Sequence, residues 1–155
     1  DHEVQPVAVG DLVEAVSVDL GDQISREGAS ITVGDLPAVP ADATELRLVF
    51  QNLVSNAIKF RSPERPPEVQ VASEDVGDAW RFTVTDNGIG IAEKHVERIF
   101  AIFQRLHPRS AYEGTGIGLA HAKRAVQNHG GTLGVESEEG VGSTFWFTIP
   151  KEPES

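Results

Sequence analysis

Three groups of residues have types and spacings that could do chemistry. Asn52, Asn56 and Lys59 recur at i, i+4 and i+7. On a helix turning about 100° per residue they share one face. An amide oxygen is a hard, neutral ligand suited to Mg²⁺, which keeps several waters and leans on phosphate oxygens. The lysine adds a point charge for phosphate. The same trio also fits a plain solvated helix face. The second group is Asp86-Asn87-Gly88-Ile89-Gly90. Strand alternation puts Asp86 on the face of Phe82 and Val84, where a carboxylate is costly without a partner. It can only accept hydrogen bonds, so it calls for a donor such as the exocyclic amine of adenine. Gly88 and Gly90 would let a flat ring approach the backbone. Asn-Gly is equally the mark of an ordinary turn. The third group, Gly114-Thr115-Gly116-Ile117-Gly118-Leu119, runs into a helix. Backbone N–H groups there could cradle an anion, and a flexible hinge is the competing reading. No Gly-Lys-Ser/Thr follows, so it is not a Walker A loop. The third glycine and the preceding strand of a dinucleotide fingerprint are both missing.

These groups need elements to hold them. Leu12, Val13, Val16 and Leu20 space out a helix over Asp11–Gln23. Ile31–Val33 reads as a short strand, and Pro37 and Pro40 punctuate a loop. Asp42 and Glu45 form a capping box for the next helix. Its apolar stripe is Leu46, Val49, Phe50, Leu53, Val54, Ala57 and Ile58. Ser62-Pro63 and Pro66-Pro67 end it. Alternation around Val69 and Val71, then Trp80, Phe82 and Val84, predicts a hairpin turning over 75–79. A short helix is expected over 93–103 and another over Leu119–Asn128, stopped by Gly130-Gly131. Thr132–Ser137 and Ser143–Ile149 form a last hairpin. The class that follows is α+β: a two-layer sandwich with a mixed, mostly antiparallel sheet under about three helices.

Composition narrows the function. The chain has 155 residues, 39% hydrophobic and 24% charged, as expected of one globular domain over 1–155 with a core from about 9 to 150 and loose tails. It has no cysteine, which excludes thiolate metal sites and thiol catalysis. It has no methionine, suggesting a segment of a longer chain. Apolar runs are too short for a membrane helix. A net charge of −11 argues against nucleic-acid or anionic-membrane partners. Residues 93–124 reverse that sign, with six bases against three acids.

In order and spacing, the groups together resemble the ATP-binding catalytic domain of bacterial sensor histidine kinases, within the superfamily shared with gyrase, the heat-shock chaperone ATPase and the mismatch-repair ATPase. Asn52 to Phe60 looks like the N box, and Asp86 to Gly90 like the first glycine box. Phe100-Ala-Ile-Phe103 looks like the F box, and Gly114 to Leu119 like the second glycine box. Gly140 to Phe145 matches the closing hairpin, and Phe103 to His107 is similar to phytochrome-type kinases. The resemblance implies a Bergerat-type ATP-binding fold and assigns roles. Asn56 would bind Mg²⁺ with Asn52 assisting, and Lys59 would contact phosphate. Asp86 would read the adenine amine, with Gly88 and Gly90 by the ring. A lid over 91–113 would be pinned by Phe100 and Phe103. Gly114, Thr115, Gly116, Gly118, Leu119 and Ser143 would complete the ATP site, and Arg105 would reach the γ-phosphate. The implied cofactors are ATP and Mg²⁺. The implied partner is a separate dimerisation domain bearing the phosphoacceptor histidine, and indirectly a response regulator. A cytoplasmic, monomeric domain with no membrane contact is expected. His2 reads as tail, because Pro6 breaks the helical hairpin that an acceptor needs. The rivals are a hydrolytic ATPase of the same superfamily and an anti-sigma-type serine kinase or nucleotide-sensing module. Hydrolysis is disfavoured because Asn52 cannot take a proton from water.

Overall fold

Asp42 starts the helix on which the fold is built. In the computed structural model, which describes residues 3–90 and 115–152, its side chain accepts the backbone N–H of Glu45 at 3.1 Å. Helix α3 (Ala43–Lys59) follows, and every member of the predicted apolar stripe is buried. The stripe lies on a five-stranded sheet ordered β2-β4-β5-β7-β6. Its strands are β2 (Ser30–Val33), β4 (Glu68–Asp75), β5 (Ala79–Asp86), β6 (Leu133–Glu138) and β7 (Gly142–Pro150). Only the β2–β4 edge is parallel; the other three pairings are antiparallel. Val69, Val71, Phe82, Val84, Phe145, Phe147 and Ile149 face the helices and are buried. Phe50 meets Phe82 and Phe147 edge-on, with ring centroids 5.8 and 5.2 Å away. Such pairs add to what burial alone supplies.

Helix α4 (Thr115–Asn128) packs beside α3. His129, just past its end and 7% exposed, ties the two together. Its Nε2 accepts the Asp42 backbone N–H at 2.9 Å, and its Nδ1 lies 2.7 Å from the Ala125 carbonyl. An accepting Nε2 places the ring proton on Nδ1, which therefore donates. Asn128 also donates to Glu45 at 3.0 Å. The C-terminal end of α4 thus sits at the N-terminal end of α3. The two helices run antiparallel, and the glycine-bearing start of α4 is directed toward the end of α3 that carries Asn56 and Lys59.

Some expectations need correction. The helix predicted over Asp11–Gln23 is two helices, α1 (Val9–Asp19) and α2 (Gly21–Glu27). The break falls at Leu20-Gly21; α1 buries Val9, Val13 and Val16, while α2 has no fully buried residue and packs only a partly buried Ile24 against the core. The loop around Pro37 and Pro40 contains strand β3 (Ala38–Ala41), which pairs with an unforeseen β1 (Gln5–Ala8). Order therefore begins before Val9. Both strands carry a proline, tolerable in a two-stranded ribbon that needs few ladder donors. The described residues hold four helices, with α1, α3 and α4 supplying buried faces. Helix α4 starts four residues earlier than expected, so Thr115 to Gly118 form its first turn. The predicted helix over 93–103 lies outside the described residues.

Phe50→Ala should cost about 3–5 kcal/mol of unfolding free energy in a urea titration, because it empties the centre of the helix–sheet contact. Val18→Ala, at an exposed α1 position, should stay within about 0.5 kcal/mol.

Candidate functional site

The site is organised around the end of β5. Alternation carries Asp86 onto the helix-facing side of the sheet, as expected. One of its oxygens, Oδ1, accepts the backbone N–H of Gly88 at 2.9 Å and of Ser143 at 3.2 Å. The sequence suggested a carboxylate without a protein partner; the structure gives it two, both through the same oxygen. No donor among the described residues reaches Oδ2. Burial pushes the Asp86 pKa up to about 6, against the pull of the Gly88 and Ser143 amides and the nearby Arg65 charge. A cleft of about 340 Å³ lies at this end of the sheet; its lining mixes Asp86, Ser137 and Ser143 with Thr85, Glu136 and Thr144, which alternation sets on the opposite face.

The turn after Asp86 is held by close backbone approach. Ile89 N–H donates to the Phe60 carbonyl at 2.9 Å, and Gly140 N–H donates to the Ile89 carbonyl at 2.7 Å. A Cβ on Gly88 would lie 2.2 Å from the Phe60 oxygen, and one on Gly90, at φ +73°, would lie 2.1 Å from the Glu138 oxygen. Protein backbone therefore already demands both glycines, whatever lies on their other side. The turn is wedged between the end of α3 and the β6–β7 hairpin.

On α3, Asn56 is 5% exposed, and its buried amide nitrogen has no hydrogen-bond partner among the described residues. A buried amide donor left unsatisfied is rare in a purely structural role. Its plane can turn over and present the oxygen instead. Asn52 and Lys59 are half-buried on the same helix. Among the described residues, no group of three or more His, Cys, Asp or Glu could hold a metal ion. A divalent cation here would lean on amide oxygens and on its own phosphate ligands, which suits Mg²⁺. At the other wall, Thr115, Gly116 and Gly118 lie in the first turn of α4, where unpaired N–H groups and the helix dipole favour an anion. Leu119, one turn further on, is buried. Arg105, Phe100, Phe103 and Gly114 lie outside the described residues.

Sequence reasoning missed Arg65. It lies between α3 and β4 in a proline-rich stretch and donates to four carbonyls around the Asp86 turn. Only a lone base beside Pro66-Pro67 hinted at it, and such a base is ordinarily solvated.

Residues 41–153 match the family described as histidine kinase-, DNA gyrase B-, and HSP90-like ATPase. The chain is 47% identical over 142 residues to the phytochrome-like protein Cph1 of Synechocystis sp., which covers 92% of this chain and 19% of Cph1. The chain thus spans about a fifth of the length of the curated relatives it matches. It is similar to the catalytic domain of histidine kinase ThkA at a TM-score of 0.80 and 29% identity, covering 96% of each. ThkA is also solved in complex with response regulator protein TrrA; there the TM-score is 0.78 and the identity 27%, over 99% of this chain and 43% of that one. Full-length ShkA in complex with AMPPNP matches at a TM-score of 0.81 and 30% identity, over all of this chain and 32% of that one.

The raised pKa of Asp86 makes a stability prediction. Its folded value of about 6 exceeds the ordinary aspartate value of 3.8, so the folded state holds the proton more tightly. Unfolding free energy should fall as pH rises from about 4 to about 6 and then level off. Asp86→Asn should remove that decline and stabilise the ligand-free chain at pH 8 by on the order of 2 kcal/mol. Thermal melts of both chains from pH 4 to 8 check this. Parallel curves would contradict it.

Proposed function

The chain belongs to the family of histidine kinase-, DNA gyrase B-, and HSP90-like ATPases, and on that premise we propose that it binds Mg-ATP and delivers the γ-phosphoryl group to a histidine on a separate dimerisation domain. The observation that carries this reading is Asp86: a carboxylate on a buried face, fixed through Oδ1, with Oδ2 left for an outside donor. The adenine amine is such a donor. Gly88 and Gly90 hold the carboxylate at the mouth of the site. Resemblance to a kinase solved with AMPPNP supports the triphosphate as ligand.

The remaining residues fit the phosphate end. The first-turn N–H groups of α4, at Thr115, Gly116 and Gly118, would face the phosphates, and Lys59 would place a charge beside them. Asn56, with Asn52, would hold Mg²⁺ through amide oxygens. Mg²⁺, when bound, supplies charge neutralisation on the phosphate oxygens. Arg105, Gly114 and a lid pinned by Phe100 and Phe103 would complete the site. In the transfer, an imidazole nitrogen of the acceptor bonds to the γ-phosphorus, and the bond from that phosphorus to the bridging oxygen of ADP breaks. The chain's task is positioning and electrostatics, the main sources of rate in phosphoryl transfer. The acceptor domain would be the immediate partner and a response regulator the downstream one, as the ThkA–TrrA pair suggests by analogy. The domain would work in the cytoplasm; among the described residues, no helix is long and apolar enough to cross a membrane.

Calorimetry with ADP tests the base site. Asp86→Asn should lose roughly tenfold to hundredfold in affinity, because its NH₂ can face the adenine amine donor to donor. Asn56→Ala should lose more affinity with Mg²⁺ than with EDTA; equal losses would make Asn56 structural. Purified alone with labelled ATP, the chain should neither label itself nor release phosphate appreciably. Rapid release abolished by an Asn52 substitution would instead favour the hydrolytic reading.

A further inference from the structure

Arg65 stands in the short connection between α3 and β4, with Pro63 before it and Pro66-Pro67 after it. Its Nε donates to the Asn87 carbonyl at 2.6 Å. Its Nη2 donates to the carbonyls of Gly88 at 3.0 Å, Gly140 at 3.1 Å and Val141 at 3.2 Å. Two of these carbonyls belong to the turn after Asp86 and two to the β6–β7 hairpin. None of the four is drawn into a strand ladder, so each needs a donor from elsewhere. Arg65 makes no ion pair with a carboxylate among the described residues. Every hydrogen bond it makes among the described residues, from Nε and Nη2, goes to main chain.

The contact is reciprocal. Asn87 accepts the Glu68 backbone N–H at 2.9 Å and donates to the Pro66 carbonyl at 3.1 Å. The α3–β4 connection and the Asp86 turn therefore hold each other from both sides. Asp86, one residue before this clamp, owes one of its two fixed hydrogen bonds to Gly88, whose carbonyl Arg65 holds.

We propose that Arg65 is a positioning residue for base recognition: by fastening the Asp86 turn to the β6–β7 hairpin, its guanidinium sets where the Asp86 carboxylate faces. This rests on the reading that Asp86 receives the adenine amine. Two physical effects separate here. The planar fork bonds carbonyls on two loops from two separate nitrogens in fixed geometry, which a single, rotating lysine ammonium does not reproduce. The positive charge also stabilises the ionised carboxylate, and it counts among the causes that lower the Asp86 pKa against burial.

Three chains separate geometry from charge: the parent, Arg65→Lys and Arg65→Gln. In each, the ¹³C shift of the Asp86 carboxyl is titrated without nucleotide, and ADP affinity is measured at pH 8, where the carboxylate is ionised. Melting curves confirm that each is folded. Arg65→Lys should keep the Asp86 midpoint close to the parent's yet lose roughly tenfold in ADP affinity, because charge remains and the fork is gone. Arg65→Gln should lose similarly in affinity and move the midpoint to higher pH. Parent-like ADP affinity in both variants would overturn the proposal, as would an unmoved midpoint in Arg65→Gln. If the parent binds no ADP, the nucleotide reading falls first. The nucleotide-free titration then still decides whether Arg65 governs Asp86.

Discussion

A carboxylate on the buried face of a sheet is the constraint around which the rest of this molecule is arranged. Asp86 ends β5 on the side that carries Phe82 and Val84, where water is scarce and an ionised group costs free energy unless donors converge on it. Two backbone amides reach one oxygen, one from the turn that follows and one from the start of β7. For both to arrive, the turn must lie tightly against the last residues of α3 and against the β6–β7 hairpin. The absent side chains of Gly88 and Gly90 permit that approach. The register with β7 sets Asp86 opposite Ser143, and α3 stops at Phe60, whose carbonyl takes the Ile89 amide of the turn.

Satisfying only one oxygen leaves the site strained in a useful direction. A fully satisfied carboxylate would be an inert structural element. A wholly unsatisfied one would stay protonated near neutral pH. The balance of burial against the Gly88 and Ser143 amides and the Arg65 charge puts the pKa at about 6. The group is thus ionised at neutral pH, and among the described residues Oδ2 has no donor. The buried amide nitrogen of Asn56 on α3 likewise has no partner among them. Two incompletely satisfied polar groups on elements packed against one core are what the proposed ligand site would cost in stability.

How far the sequence alone reveals this depends on the range of the signal. Asp42 and Glu45 announce the start of α3 because a cap is a local bond across three residues, and the apolar stripe is legible because burial follows helical period. The hairpins follow from alternation. The β1–β3 ribbon was hidden because its strands are four residues each, carry prolines and pair across thirty residues. The break between α1 and α2 was hidden because Leu20 continues the apolar spacing across it. In the site, Asp86 and the asparagine face were visible as chemistry in unusual places. The protein partners of Asp86 were not, since backbone amides carry no mark in a sequence. Arg65 was invisible for the same reason: every acceptor it finds is a carbonyl.

That blindness has a physical pattern. Side chains that contact ligand must differ chemically from their surroundings, so composition and spacing expose them. Groups that orient them through main chain need only the right length and fork, and their partners exist at every residue. Each of the bonds around Asp86 runs among residues 60–90 and 138–143, within the α3–β4 connection, the end of β5 and the final hairpin. The proposed base-facing half of the site is consequently a property of sheet and turn geometry. The proposed phosphate-facing half would depend on α4, which is tied to the far end of α3 where His129 takes the Asp42 amide. One helix thus registers both: its C-terminal end abuts the Asp86 turn, and its N-cap anchors the helix that begins at Thr115. A change at either end of α3 displaces a different part of the ligand site, with no ligand-contacting residue altered.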